Sequence, residues 1–320
     1  MGSGRWSVST YNDRAVLRAK SGKDTFDYSA DAIRSGVLRP HQTLEPHGLD
    51  RRESRDSDEH PTSNAIIISL DVTGSMGRVV RGIHGNLPQL HELLLGHNYI
   101  PDPQILFMAV GDATCDRVPL QVGQFESDNR MDQHLENMIL EGGGGGQKTE
   151  SYELAMYIAA QHTSIDCWEK RKHKGYLFMI GDEMAYSAVK RREVDLLIGP
   201  EMQADEPLEQ VIARAKEMYN LYFIIPGGAS HGADKNILAF WQNHLGPRNV
   251  IKLENPEDTS ECIALTIGMN EGAISLNDGV DHLRKRGLVS HVVDRVSSAL
   301  SWLMPTSSSA AVDPDRSRHL

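Results

Sequence analysis

Two short apolar runs dominate what this chain can become, because each delivers an aspartate at its end. Residues 65–70 read Ala-Ile-Ile-Ile-Ser-Leu and stop at Asp71; residues 176–180 read Tyr-Leu-Phe-Met-Ile and stop at Gly181-Asp182. Runs of this length and β-branched or aromatic content suit strands buried on both faces, as in parallel sheets. A carboxylate is too costly to leave unpaired in such a core. Each aspartate therefore marks the carboxyl end, where the chain leaves the sheet.

The intervening texture supports the same architecture. Val79, Val80, Ile83, Leu87, Leu90 and Leu94 recur at three to four residues and predict a helix that Pro88 kinks or splits. Further strands are expected over 105–110, 221–225 and 250–253, with 118–125 as a half-buried, antiparallel edge. Helices are expected over 128–140 with Asp128 as N-cap, 150–161, 206–219, 234–245, 257–268 and 281–304. Strands alternating with helices imply an α/β fold: a doubly wound, mostly parallel central sheet with helices on both faces. In such sheets ligands bind beyond the carboxyl ends of the strands, where the strand order reverses. If the two aspartate-bearing strands are neighbours there, Asp71 and Asp182 share one crevice.

Thr73 and Ser75 follow Asp71 at alternate positions, and Gly74 permits a tight turn between them. Two carboxylates and two hydroxyls form a hard, all-oxygen donor set suited to Mg²⁺, with Mn²⁺ or Ca²⁺ as alternatives. Asp112 follows the second strand, and Glu183 follows Asp182; both are candidates as further metal ligands or as support of the ligands, Asp112 from the rim.

These residues resemble a known family. Asp71-Val-Thr73-Gly-Ser75 is similar to the Asp-x-Ser/Thr-x-Ser metal-ion-dependent adhesion motif of von Willebrand factor type A (vWA) domains, and Asp182 matches the family's later strand-end aspartate. The resemblance covers residues 64–268 and implies a Rossmann-like vWA fold of the intracellular, bacterial or phage-like type. The family's remaining ligand is a threonine in a glycine-rich loop before a helix. In Gln147-Lys148-Thr149-Glu150, Thr149 has the expected chemistry, whereas counting back from Ala155-Met156 puts Glu150 at that position. Glu150 is favoured and Thr149 is the alternative. A third carboxylate would hold the cation more tightly and reduce its appetite for a partner's acidic side chain.

Outside 64–268, residues 1–63 read as a polar arm that is either loosely held or packed on the domain through Arg–carboxylate pairs. Residues 269–304 read as a helical extension, and 305–320 as a disordered tail. Glu53, Asp56, Asp58 and Glu59 lie just upstream of the first strand, at the end opposite the aspartates, and are expected to supply no ligand.

The formal net charge of −11 disfavours nucleic acid and anionic membranes as partners. Cys115, Cys167 and Cys262 include no CxxC pair, no apolar run approaches membrane-spanning length, and no leader precedes the domain, so a cytoplasmic location is expected. The glycine loop over 142–149 misses the phosphate-loop spacing at Gln147 and follows a helix, not a strand. The expected function is a divalent-cation module that engages a protein partner in a larger assembly, and the resemblance suggests an AAA+ ATPase system as one setting. The alternative is a metal-dependent hydrolase or phosphoryl-transfer enzyme at the same cation.

Overall fold

The computed structural model describes residues 4–143 and 146–301, apart from the side chain of Ser75. The central sheet contains β1 (Asn64–Asp71), β2 (Pro103–Val110), β3 (Leu120–Val122), β4 (Gly175–Ile180), β5 (Tyr219–Ile225) and β6 (Val250–Lys252). Its six strands lie in the order β6-β5-β4-β1-β2-β3. Every pairing is parallel except β2 with β3. The chain steps from β1 outward to β2 and β3, then crosses to β4 on the other side of β1. The order thus reverses between β1 and β4, where Leu70 pairs with Ile180. Asp71 and Gly181-Asp182 consequently emerge side by side at the carboxyl edge.

Along the chain the principal helices are α1 (Val8–Lys20), α2 (Asp27–Ser35), α3 (Gly77–Gly85), α4 (Tyr152–Gln161), α5 (Leu208–Met218), α6 (Lys235–Leu245), α7 (Thr259–Asn270), α8 (Leu276–Lys285) and α9 (Ser290–Leu300). Successive side chains of a strand point to opposite faces, so β1 feeds two cores. Ile66, Ile68 and Leu70 pack with residues of α3, α7, α8 and α9. Ala65 and Ile67 pack with residues of α4, α5 and α6. Burying each large aliphatic side chain contributes roughly 1.5–3 kcal/mol, which is why the run 65–68 in β1 can be apolar on both faces.

Several boundaries differ from the sequence expectation. Pro88 splits the long helix: a short helix, Leu87–His91, starts with proline in its first turn, where the missing N–H costs nothing. The expected edge strand shrinks to β3, which is wholly buried instead of half-buried. The helix over 128–140 contracts to Arg130–Glu136 with Asn129 at its cap, although Asp128 still accepts from the Arg130 N–H at 3.0 Å. The stretch 281–304 resolves into α8, which begins earlier, and α9; Gly287 separates them at φ +82°, a conformation glycine adopts cheaply. Residues 302–320, including the expected tail, lie outside the described residues, as do Gly144 and Gly145 of the glycine loop.

Residues before β1 form α1, α2 and a strand, Arg52–Ser54, that pairs in parallel with Thr163–Ile165. Trp6 stacks on His91 at 4.7 Å between ring centroids and donates to Asp132 at 2.8 Å. Arg14 and Arg18 both grip Glu136, at 2.8 and 2.5 Å. Arg55 bridges Asp166 and Glu169, and Arg171 bonds Asp56 at 2.8 Å. Asp56 also accepts from the N–H and hydroxyl of Ser63 at the start of β1, the end away from Asp71. Among the described residues no helix is long and apolar enough to cross a membrane.

Candidate metal centre

Asp71 is the last residue of β1 and is buried at 1% exposure. One carboxylate oxygen accepts from the Thr73 N–H (2.8 Å) and the Thr73 hydroxyl (2.6 Å). The other accepts from the Tyr152 hydroxyl at 2.7 Å. Burial, opposed by these donors and reinforced by the Asp182 charge, pushes the Asp71 carboxyl up to about 7. Gly74 takes φ +41°, and its N–H donates to the Gly143 carbonyl at 3.0 Å, which docks the glycine loop on this turn. Ser75 sits in the single turn Gly74–Met76, and its side chain lies outside the described residues.

Asp182 is also buried and accepts from the His231 N–H at 2.7 Å. The glycine before it has a steric cause. A side chain at 181 would collide with the Tyr152 hydroxyl and lie 2.5 Å from the adjacent ring carbon. Tyr152, from the first turn of α4, thus fills the space between the two aspartate-bearing strands.

Glu150 lies before α4, not within it as expected. Thr149–Glu150 forms a two-residue strand that pairs in parallel with Met184–Ala185, just beyond Asp182. That pairing carries Glu150 inward, to 1% exposure, and one of its carboxylate oxygens has no hydrogen-bond partner. Burial, then repulsion from Asp71, Glu183, Asp116 and Asp112, pushes its carboxyl up to about 10. Thr149 is only partly buried, and its hydroxyl reaches the Gln147 carbonyl at 3.4 Å. Glu183 is pushed up to about 7 by burial and by Asp71 and Asp182, and the His231 ring lies 3.6 Å from one of its oxygens.

Asp112 is fully buried, not at the rim. It repeats the Asp71 turn: one oxygen accepts from the Thr114 N–H (2.8 Å) and hydroxyl (2.7 Å). The Tyr186 hydroxyl at 3.0 Å, the Gln147 amide at 2.6 Å and the Cys115 thiol at 3.3 Å also donate to it. Asp112 therefore ties the glycine loop to the loop after β4, and its lone pairs are spent on the chain itself. Asp116 donates no charge relief: burial and the neighbouring Glu141 and Asp112 raise its pKa. The exposed Cys115 thiol is pushed up to about 12 by burial and by its bond to Asp112, which keeps it protonated.

The chemistry at this edge is a buried cluster of hard oxygen donors rich in carboxyl groups. Asp71, Thr73, Glu150, Asp182 and Glu183 gather at the switch point, and the orphaned Glu150 oxygen is the feature a divalent cation would satisfy. The side chains are not already closed around one point: among the described residues no three Asp, Glu, His or Cys side chains form a ready chelate. Asp71 and Asp182 are turned toward Thr73, Tyr152 and the His231 N–H. The sequence did not single out Tyr152, Asp116 or His231. Tyr152 had one local signal, its place two residues after Glu150, whereas the other two come into range only through folding.

No protein-family model matches the chain, and no curated protein matches it. Solved structures resemble it at low identity. The pilus adhesin SpaC from Lactobacillus rhamnosus GG, in its open conformation, aligns with a TM-score of 0.46 at 8% identity, covering 72% of this chain and 33% of the adhesin. Proximal thread matrix protein 1 from the mussel byssus aligns at 0.41 and 11% identity, over 68% of this chain and 48% of its own. The conserved hypothetical protein BatB from Bacteroides thetaiotaomicron aligns at 0.37 and 12% identity, over 64% of this chain and 98% of its own. The chain thus spans about a third of the adhesin and about half of the byssus protein.

Proposed function

We propose that this chain is a vWA-type module that holds a divalent cation at the carboxyl edge of its sheet and uses that surface to engage a protein partner. The observation that carries the proposal is Glu150: a carboxylate at 1% exposure, with an oxygen that no donor reaches, among the charges of Asp71, Asp112, Asp116 and Glu183. A buried acid avoids the cost of ionising unpaired, several kcal/mol, by keeping its proton, as the Glu150 carboxyl raised to about 10 does; a cation would displace that proton and pair the carboxylate. Asp71, Thr73, Ser75, Glu150 and Asp182 would hold it, with Glu183 in support. All are oxygen donors, which favours Mg²⁺ or Mn²⁺ over softer metals.

The cation would supply a fixed positive charge. The chain's own groups do the rest. Thr73 orients Asp71 through two donors, Tyr152 spaces the two aspartate strands, and Asp112 anchors the loop that leads into Glu150. A turn and a glycine loop joined through the Gly74 N–H can pass a change in coordination on to α3 and α4.

The test is calorimetric titration of metal-stripped protein with Mg²⁺ and Mn²⁺, in wild type, Asp71→Ala and Glu150→Thr. Binding should vanish in Asp71→Ala. It should weaken about tenfold or more in Glu150→Thr, equivalent to losing about 1.4 kcal/mol of charge attraction. Folded wild-type protein that takes up neither ion would refute the proposal.

A further inference from the structure

Two histidines that take no part in the metal centre meet at the other end of the sheet. His97 follows the helical turn Glu92–Gly96, and His282 comes from the last turn of α8. Both lie by Tyr99, ahead of β2, whose far end at Val110 pairs with Asp71. The two imidazoles stack at 4.1 Å between centroids, with 14° between their planes. The Tyr99 hydroxyl bonds His282 Nδ1 at 2.8 Å. Burial pushes the Tyr99 phenol up to about 12, so this hydroxyl keeps its proton and donates it to a neutral imidazole. The charged groups around the pair offer little relief to a cation. Arg286 is held by Glu92 at 2.7 Å and by the Gln89 carbonyl at 3.3 Å. Asp278 accepts from the Ser275 N–H and hydroxyl at the start of α8. Asp281 and Arg284 pair with each other on its exposed side. Partial burial, His282, Arg286 and Lys285 hold the His97 imidazole below its usual range, against the pull of Glu92. Beneath this pair, α8 covers the core with Leu276, Val280 and Leu283. Its backbone sits tightly on α7: a methyl added at Gly279 would come within 2.7 Å of Leu265.

We propose that His97 and His282 form a proton-operated latch: neutral, they clasp α8 to the domain, and protonated, they repel each other and let α8 open in mild acid. An imidazole takes up its proton near a pH of about 6.5. The first proton sets a charge against a neutral ring. The second sets two like charges face to face at the stacking distance, beside Arg286 and Lys285. A proton on His282 Nδ1 also removes the acceptor that the Tyr99 hydroxyl uses. The sign is that of a base harder to protonate folded than unfolded. Its stabilisation is complete above about pH 6.5 and is lost as pH falls below that value. Opening of α8 uncovers the apolar stripe of Leu276, Val280 and Leu283, and a helix outside the sheet can do this while the sheet stays folded.

The experiment follows amide hydrogen exchange of the full chain by mass spectrometry at about pH 7.5 and about pH 5, on either side of the histidine range. Rates are divided by those of the unstructured chain at the same pH. In wild type the amides of α8 should lose protection about tenfold or more in acid, the factor set by one unit of pKa difference between the latched and open states. Those of β1 and α4 should keep theirs. His97→Phe retains a ring for the stack and cannot be charged, and His97→Gln is neutral with no ring. Both variants should lose the acid response of α8. Equal protection of α8 at the two pH values in wild type overturns the proposal. A wild-type acid response in both variants also overturns it, because the proton then acts elsewhere. So does a loss of protection in acid that spreads equally to β1 and α4, which would be unfolding of the domain and not the opening of one helix.

Discussion

Replacing Gly181 with alanine should destabilise the protein through one identifiable contact. The backbone at 181 is not in the left-handed region, so alanine meets no conformational penalty there and the effect is purely one of space. The new methyl would overlap the Tyr152 hydroxyl and sit 2.5 and 2.7 Å from two ring carbons. The ring cannot slide away freely, because it packs edge-on against Phe223 at 5.2 Å and Trp241 at 5.6 Å. Overpacking of this kind costs about 1–3 kcal/mol. Moving the hydroxyl also breaks its bond to Asp71, a buried hydrogen bond to an acid worth about 1.5–3 kcal/mol. Gly181→Ala should therefore cost about 3–5 kcal/mol, a fall in Tm of roughly 6–15 °C for a chain of this size. Tyr152→Leu removes both the hydroxyl and the ring and should cost a similar amount through cavity and lost bond. Urea denaturation in EDTA gives the free energies. The double variant should be less destabilised than the sum of the singles by at least about 1.5 kcal/mol, because the methyl then has room. Additivity within about 0.5 kcal/mol would refute the claim that Tyr152 occupies the space glycine leaves.

Three further outcomes are expected. Glu136→Ala leaves Arg14 and Arg18 without their shared carboxylate; trypsin should then cut within α1 earlier than in wild type, and Trp6 fluorescence should shift as its packing on His91 loosens. An unchanged cleavage pattern would show that these pairs do not hold the helix. Asp56 is held down to about 2, where burial is outweighed by Arg171, Ser63 and Lys170. A depressed acid stabilises above its unfolded pKa of 3.8 and loses that contribution as pH falls through 2. Asp56→Asn should thus cost about 1–2 kcal/mol at neutral pH after allowance for screening, and the gap to wild type should close between about pH 4 and pH 2. In the His173–Glu271 pair, the bond to Glu271 raises the histidine, and donors from His173 and Tyr176 lower the glutamate against its burial. The raised histidine stabilises fully below about 6.5 and loses this as pH rises through its folded value; the lowered glutamate acts above about 4.5. His173→Gln should differ most from wild type near pH 5–6 and converge with it above about pH 8; a gap that widens with pH would contradict the pairing.

Much of the scaffold was legible in advance because its signals are local. An apolar run that ends in aspartate states both that a strand is buried on two faces and where it leaves the core. The helices α3 to α7 were visible from their periodicity, and Pro88 carries its own interruption, whereas α1 and α2 lie in the stretch read as a polar arm. The short elements were not visible. Arg52–Ser54 and Thr163–Ile165 are three residues each and carry no alternation; they become strands only because each supplies the other's backbone partners across more than a hundred residues. Thr149–Glu150 is the same case, and it decides which residue of the loop turns inward. Helical spacing had assigned Glu150 to α4, whereas two backbone pairings draw it out of the helix.

The amino-acid sequence alone determined the alternation of strand and helix, the carboxyl-edge position of Asp71 and Asp182, and the hard-oxygen character of the residues around them. These depend on side-chain chemistry and spacing within a dozen residues. Only the tertiary structure decided that β4 lies against β1, that Tyr152 fills the gap at Gly181, and that Asp112 is buried and spent on Thr114, Tyr186 and Gln147. It also decided that Glu150 is enclosed with an oxygen unmatched. Burial and electrostatic repulsion are sums over neighbours from distant parts of the chain, so neither quantity exists until the chain has folded.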